Sequence, residues 1–527
     1  MNSYRVKTEA LVIGSGIAGC TTALTLADQG RQVILLTSGG ALDDGNSRLA
    51  QGGIIYKADV ENPRLLENDI LICGWKRNYP KAVRYLAHKG PRIVEKMLLD
   101  RLNVPFDRRD ADGSFHLTKE GGHSEARIIH RADHTGQAIM EEYVKAVSAS
   151  PNITVLTNRT AVDLLTSHHH SSSLNQRYQL RNQCLGAYVF NDKNKCVETI
   201  LADFTVLATG GSGRIFLHTT NSRSSIGSAL AMGARAGAKN MNMEFIQFHP
   251  TTFFHRADRR FLITEAMRGE GAKLVNSKGE AFMTRYDPRA DLAPRDIVTR
   301  AILEEMMRTG EDCVYLDAAG HIKRLKEYFP SIYAKCLEFG VDITAQPIPV
   351  VPAAHYFCGG VLVDAHARTT LDRLYAAGEC ACTGLHGANR LASASLLECL
   401  LWGWSAGADI SARIANKASL SKHLLESIPD WVSPGSDNNE DPALIAQDWA
   451  TIRHTMWNYV GINRSSAKLT RAFEDLRDLN KRLHDFYRET PMSKPLVDLF
   501  HGCQAAYTIT LAAMRNKQSL GCHYRVN

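Results

Sequence analysis

At 527 residues the chain is too long for one compact core, and two to four domains, roughly, are expected. Its formal net charge of +7 comes from Lys and Arg interleaved with Asp and Glu, which excludes a basic stripe for nucleic acid and leaves small acidic substrates compatible. Its twelve cysteines come with no secretory signal and no metal spacing, since Cys380-Ala-Cys382 lacks a second close pair, so reduced cysteines in a cytoplasm are expected, with no structural zinc or iron–sulfur cluster.

The first element is "ALVIGSGIAGCTTALTLADQGRQVILLT", Ala10 to Thr37. It reads as a buried strand, a Gly-x-Gly-x-x-Gly turn at Gly14, Gly16 and Gly19, an amphipathic helix and a second buried strand. The glycines permit a tight turn and close backbone approach, and the helix N-terminus offers amide donors to a pyrophosphate. In this strand-helix-strand setting the pattern is a strong dinucleotide signal. The acid usually found after the second strand is replaced by Thr37 and Ser38, whose hydroxyls can hold a ribose less tightly.

Further along, "LTKEGGHSEARIIH" (Leu117 to His130) sets Glu120 before two glycines, a histidine and a serine, in a segment too glycine-broken for a clear helix or strand. Taken alone, Glu120 reads as a solvated surface acid. "SHHHSSS" (Ser167 to Ser173) reads as a polar loop between strands and not as a metal tract. "FTVLATGGSG" (Phe204 to Gly213) reads as a buried strand that brings distant chain back against the first site. "LYAAGECACTGLHGANRLASASLLECLLWG" (Leu374 to Gly403) reads as a strand, then Gly378-Glu379, then a glycine loop entering a helix near Ser393 to Leu396. Glu379 suits ribitol hydroxyls, and that helix N-terminus suits the electron-rich edge of a reduced flavin. The apolar stretch there is short and carries Glu398, so no membrane span is expected.

"RLAQGGI", "EGGHSEARIIH", "FIQFHPTT", "LITEAMRGEGA", "DLAPRDIVTRAI", "PAAHYFCGGV" and "GLHGANRLASASLLE" follow one another along the chain. In these motifs, and over nearly its whole length, the sequence resembles the flavoprotein family that comprises L-aspartate oxidase, the succinate dehydrogenase flavoprotein subunit and fumarate reductase. The resemblance implies an α/β fold: a Rossmann-type FAD-binding domain with an inserted α+β capping domain and a C-terminal helical domain. The FAD domain would span about residues 1–242 and 357–420, the cap about 243–356, and the helical domain about 421–527. FAD would be held by Gly14, Ser15, Gly16, Ile17, Ala18, Gly19, Ser38, Asn46, Ser47, Ala50, Gln51, Gly52, Gly53, Gly210, Glu379, Ser395 and Leu396.

The same resemblance implies dicarboxylate binding by His249, Thr264, His355 and Arg390, with Gln247 nearby. Two carboxylates on one small substrate need several charge-assisted donors, and an arginine fork suits them best. Arg295 matches the family's proton-transfer arginine, with Glu265 and Arg268 as a relay beside it. A guanidinium titrates above about 12, so Arg295 acts more easily as an acid than as a base.

Within the family three readings stand: a soluble oxidase of L-aspartate, a fumarate reductase or succinate dehydrogenase flavoprotein subunit, and a flavin-binding module without catalysis. The presence of every dicarboxylate donor and of Arg295 weighs against the last. Asn46 stands where respiratory members carry a flavin-bonding histidine, so the FAD is expected to be non-covalent. Glu120 in "EGGHS" resembles the aspartate oxidase pattern, where a carboxylate would pair with the substrate ammonium that succinate lacks. Two departures are Gly227-Ser228-Ala229, where the family has Gly-Asp-Gly, and Ser393-Ala394-Ser395 in place of Ser-Asn-Ser. The expectation is oxidation of L-aspartate to iminoaspartate, with O2 or fumarate as electron acceptor. It would be the first step of NAD synthesis from aspartate, functionally coupled to quinolinate synthase.

Overall fold

A strand with side chains buried on both faces belongs inside a parallel sheet covered by helices, and Ala10–Ile13 form the buried end of such a strand, β1 (Arg5–Ile13). The computed structural model describes residues 4–58, 62–255, 261–433 and 442–526. From β1 the chain enters helix α1 (Ile17–Ala27) and returns as β2 (Val33–Leu36), which pairs parallel with β1 and with β3 (Ile153–Leu156). Strands β4 (Arg159–Thr166), β5 (Cys184–Asn191) and β6 (Cys196–Leu207) complete the order β3-β2-β1-β6-β5-β4. The first half of β6 pairs antiparallel with β5, and its last residues extend beyond that partner.

The turn after β1 shows why its glycines are needed. Gly14 has φ of +114°, and a Cβ there would lie 2.1 Å from the Ala208 carbonyl oxygen at the end of β6. A Cβ on Gly19 would lie 1.9 Å from the Gly14 oxygen, so α1 can sit against the turn only without one.

The chain next builds a second sheet. Strands β7 (Ile246–Phe253), β8 (Lys273–Val275), β9 (Val314–Asp317) and β10 (Ile348–Phe357) pair antiparallel in the order β7-β10-β9-β8. Helix α2 (Arg295–Thr309) follows β8 in sequence and lies against β7, with Thr299 Oγ1 donating to the Phe248 carbonyl at 3.1 Å. This sheet has its own core, which includes Phe253, Phe282, Val298, Ile302 and Leu316. The chain then returns to the first sheet: β11 (Leu374–Ala376) pairs parallel with Thr205–Leu207 of β6, and α3 (Ala394–Ala415) packs on α1. Glycine again sets the distance, since a Cβ on Gly403 would stand 2.6 Å from the Ala18 oxygen.

Helices α4 (Pro442–Val460), α5 (Ser466–Glu489) and α6 (Lys494–Arg515) pack on one another near the C-terminal end. Ser465 and Ser493 cap α5 and α6, accepting from the Lys468 and Leu496 amides. Among the described residues no helix is long and apolar enough to cross a membrane.

"SHHHSSS" departs from the loop expected of it. Ser167–His170 form one helical turn, with Thr166 Oγ1 accepting from the His169 amide. Ser167 and Ser171 are buried, and the Ser171 hydroxyl lies 2.8 Å from that of Ser427. A hydroxyl can cap a turn and satisfy itself inside the fold, so polarity alone did not make this segment a solvated loop.

Candidate active site

One continuous cavity of about 560 Å³ runs from the β1–α1 turn to the edge of the second sheet. At the first end its wall is the turn Gly14–Ala18 with Ser38, the residue after Thr37 at the end of β2. Asn46, Ser47 and the stretch Ala50–Gly53 line its middle, as do Gly210, Glu379, Ser395 and Leu396. At the far end stand Glu120, His249, Thr264, Arg295, His355 and Arg390. Residues spread over nearly four hundred positions thus share one space.

The first end fits FAD on its own geometry. The Gly14 turn leaves no room for a side chain, so backbone amides line the wall beside the start of α1, where anionic oxygens are best held. Gly19 does not line the cavity; it is the contact that lets α1 lie against the turn. Ser15 donates to the Leu42 carbonyl at 2.6 Å and Ser47 Oγ accepts from the Ile17 amide at 3.1 Å, so both hydroxyls fix the loop. Glu379 is buried, and burial pushes its carboxyl up to about 7, although the Phe357 amide donates to it at 2.9 Å. A buried carboxylate with spare acceptor capacity suits hydroxyl donors. Asn46 Nδ2 donates to Ser225 Oγ at 2.9 Å and to Glu379 at 3.4 Å, and its Oδ1 accepts from the Ser222 amide at 2.7 Å.

At the far end, β7 and β10 present His249 and His355 side by side, with ring centres 5.0 Å apart. Burial, then the neighbouring Arg295, holds both imidazoles well below the usual histidine range, so both are neutral at pH 7. Thr220 Oγ1 lies 2.8 Å from His355 Nδ1, and His249 Nδ1 lies 3.0 Å from the Thr251 carbonyl oxygen and 3.2 Å from the Thr251 amide. A neutral ring whose Nδ1 accepts keeps an Nε2–H for an anionic acceptor, and one whose Nδ1 donates presents Nε2 as an acceptor.

Arg295 opens helix α2. Its Nε donates to Glu265 Oε2 at 2.5 Å, and its Nη1 donates to Gln247 Oε1 at 3.1 Å. Arg268 lies 3.4 Å from the other Glu265 oxygen. Burial alone would raise the Glu265 carboxyl, but Arg295 and Arg268 outweigh it and hold it below its ordinary value. Glu265 is therefore an anion between two guanidiniums.

Arg390 donates from Nε to the same Gln247 oxygen at 3.2 Å and from Nη1 to Ser395 Oγ at 2.7 Å. Its guanidinium lies over the Tyr356 ring, 4.4 Å from the centroid. Burial lowers its pKa and Arg295 adds to the effect.

Gln247, Glu265 and Arg268 do not line the cavity. Gln247 is fully buried, and its Nε2 is taken up by Asn389 Oδ1 and the Arg390 carbonyl. Its oxygen bridges two cations that would otherwise repel, so it positions Arg295 and Arg390 from behind.

Glu120 is no surface acid, being only 3% exposed. It sits in the turn between the short strands Leu117–Thr118 and Ile128–His130, and its Oε2 accepts from Ser393 Oγ at 2.6 Å. Burial, reinforced by Glu265, raises its carboxyl above the usual range. Ser393 and Thr220 escape a reading by residue type, because a single hydroxyl carries no chemical signature until its partner is known. Ser228, one of the two departures from the expected family pattern, lines the cavity and presents a hydroxyl there.

The chain is similar to known proteins along its whole length. A model of the FAD binding domain matches residues 9–396, and one of the fumarate reductase flavoprotein C-terminal region matches 449–527. The L-aspartate oxidase of Pseudomonas aeruginosa is 43% identical over 533 aligned residues, covering 100% of this chain and 96% of that protein. The L-aspartate oxidase of Yersinia pestis is 44% identical, covering 98% and 96%. Among solved structures, E. coli quinol fumarate reductase superposes with a TM-score of 0.87 at 27% identity, over 99% of this chain and 92% of that one. Sdh1 of Mycobacterium smegmatis gives 0.79 at 28% identity, over 99% and 89%.

Proposed function

The chain belongs to the L-aspartate oxidase family of FAD-binding flavoproteins, and we propose that it oxidises L-aspartate to iminoaspartate with a non-covalent FAD. The observation that carries this reading is the single cavity that brings a buried carboxylate, Glu120, into a site otherwise lined by donors and cations. Arg390, Arg295 and the imidazoles of His249 and His355, with the Thr264 hydroxyl, would hold the two substrate carboxylates. Glu120 would pair with the ammonium, the one group that distinguishes aspartate from succinate. Such a set fixes all three charged groups of the substrate and so orients Cα.

Bound FAD supplies the two-electron acceptor for the Cα–H bond. The residues that would hold it are the Gly14–Ala18 turn, Ser38, the Asn46–Gly53 stretch, Gly210, Glu379, Ser395 and Leu396. Asn46 has an amide whose hydrogen bonds all go to protein groups or Glu379, and an amide nitrogen is too poor a nucleophile to bond the cofactor. Arg295, backed by the Glu265 anion and Arg268, would deliver a proton to substrate carbon when the same site reduces fumarate. O2 or fumarate would take the electrons from the reduced enzyme. The product is an unstable imine and needs prompt consumption, which suits a coupling to quinolinate synthase in the cytoplasm.

The test is anaerobic. L-aspartate should bleach the yellow flavin while succinate bleaches it far more slowly. Bleaching by succinate and none by aspartate would sink the proposal.

A further inference from the structure

Beneath Glu120 lies a second, much smaller cavity of about 20 Å³, room for a single water. Gln51, Gly52, Glu120 and Thr264 line both it and the main cavity. Its remaining wall includes His116 and His130. Gln51 Oε1 is buried with no hydrogen-bond partner among the described residues, so a water here would satisfy it.

The histidines lead outward. His116 Nδ1 is 2.9 Å from His130 Nε2, and His130 Nδ1 is 3.5 Å from Asp107 Oδ2. The His130 side chain is 12% exposed and that of Asp107 27%, so the row runs from a buried acid to the surface. Arg131 pairs with Asp107 at 2.7 Å, and Glu270 shares the cavity wall. The Tyr328 ring lies 6.0 Å from that of His116, and the Arg324 guanidinium lies over the Tyr328 ring, 5.6 Å from its centroid.

Oxidising an ammonium substrate leaves a proton to be removed. One Cα–H bond breaks and its electron pair leaves as hydride to the cofactor. One N–H bond breaks and its pair forms the C=N bond of the iminium. Glu120, the carboxylate that would pair with the ammonium, is the acceptor that faces this proton. We propose that Glu120 accepts this proton and passes it through a water in the small cavity to His116, then to His130 and out to solvent beside Asp107. The inference rests on the aspartate reading given above.

Glu120 and His116 line the same small cavity, and the two histidines are in direct contact. His116 takes the proton at Nε2 and releases its Nδ1–H to His130 Nε2; His130 then releases its Nδ1–H toward Asp107 and water. Burial makes the Glu120 carboxylate a stronger base than an exposed one. Burial also lowers His130, with Asp107 opposing and His116 adding, so this ring rests neutral and gives up an acquired proton readily. Arg295, Glu265 and Arg268 are paired with one another next to the Glu120 turn, a set suited to protonating carbon during fumarate reduction.

Stopped-flow mixing with L-aspartate under anaerobic conditions, with a pH-indicator dye present, tests the path in the FAD-loaded enzyme. In the unaltered protein one proton should appear in solution as each flavin bleaches. His116→Asn and His130→Asn should each slow both signals about tenfold or more, the low end for a lost proton-transfer group. Added imidazole should restore the rate, and fumarate reduction by a reduced dye should stay within about twofold. Unaltered proton release in both variants would overturn the proposal, as would a loss that imidazole does not restore or one that extends equally to fumarate reduction. If the unaltered protein reduces fumarate but is not bleached by aspartate, the aspartate reading fails instead.

Discussion

Glu120 and Ser393 lie 273 residues apart in the chain and are joined by a hydrogen bond of 2.6 Å. Ser393 sits at the N-cap of α3 in the left-handed region, at φ of +55°, a backbone state that costs a residue with a Cβ on the order of 1–2 kcal/mol. The bond ties the EGGHS turn to the helix that closes the flavin end of the cavity. It also aims one carboxylate oxygen away from the substrate, so the other must serve the ammonium.

Glu120→Gln keeps the shape and the Ser393 contact but removes the charge. One charge-assisted contact in a desolvated site is commonly worth roughly 1.5–3 kcal/mol, or about ten- to more than a hundredfold. Aspartate oxidation should fall by that factor while fumarate reduction with a reduced dye survives. Parallel steady-state measurements on the two substrates decide it, and equal losses on both would give Glu120 a structural role.

Arg295→Leu removes the group that Glu265 and Gln247 hold. The variant should retain FAD, which Arg295 does not cradle, yet lose turnover by roughly a hundredfold or more. The flavin absorbance of the purified variant checks the first half, and single-turnover flavin reduction checks the second. A near-normal reduction rate would take Arg295 out of the chemistry.

Asn46 predicts a releasable cofactor. Acid precipitation should leave all the yellow colour in the supernatant, because the Asn46 amide is too poor a nucleophile to bond the flavin. Colour that stays with the denatured pellet would contradict it.

Glu379 predicts how the FAD-free protein responds to pH. Its carboxyl is raised from 4.5 to about 7 in the fold, so the folded state keeps a proton that the unfolded state gives up. Stability from this group is therefore full below about pH 4.5 and is lost as pH rises to 7, by roughly 3 kcal/mol at most. Glu379→Gln does not titrate. Thermal unfolding of the two FAD-free proteins should show the variant gaining on the parent between pH 5 and pH 8, and a constant difference over that range would refute the assignment.

The dinucleotide half was legible because its signal is local: buried strand, glycine turn and helix lie within Ala10–Thr37, and the structure forms them in that order. The far end was legible for another reason. Histidines, arginines and carboxylates in named motifs have few chemical uses, and His249, Thr264, Arg295, His355 and Arg390 do line one cavity with Glu120. What could not be read was depth. Gln247, Glu265 and Arg268 stand behind the wall, because a side chain's layer is fixed by partners such as Asn389 and Asp291 that no spacing reveals. The burial of Glu120 hangs on the distant Ser393 in the same way.

The pairing of β11 with the end of β6 bears on how the protein is made. A chain leaving the ribosome carries Thr205–Leu207 long before it carries Leu374–Ala376, and the entire antiparallel sheet with its own core is synthesised between them. Until then the end of β6 is an open edge, available to any other extended strand. Synthesis must pass α3 before the wall around Glu379, Ser393 and Leu396 exists. Capture of the flavin is thus a late event in the life of the nascent chain, and slow elongation across the second sheet would prolong its exposure to aggregation.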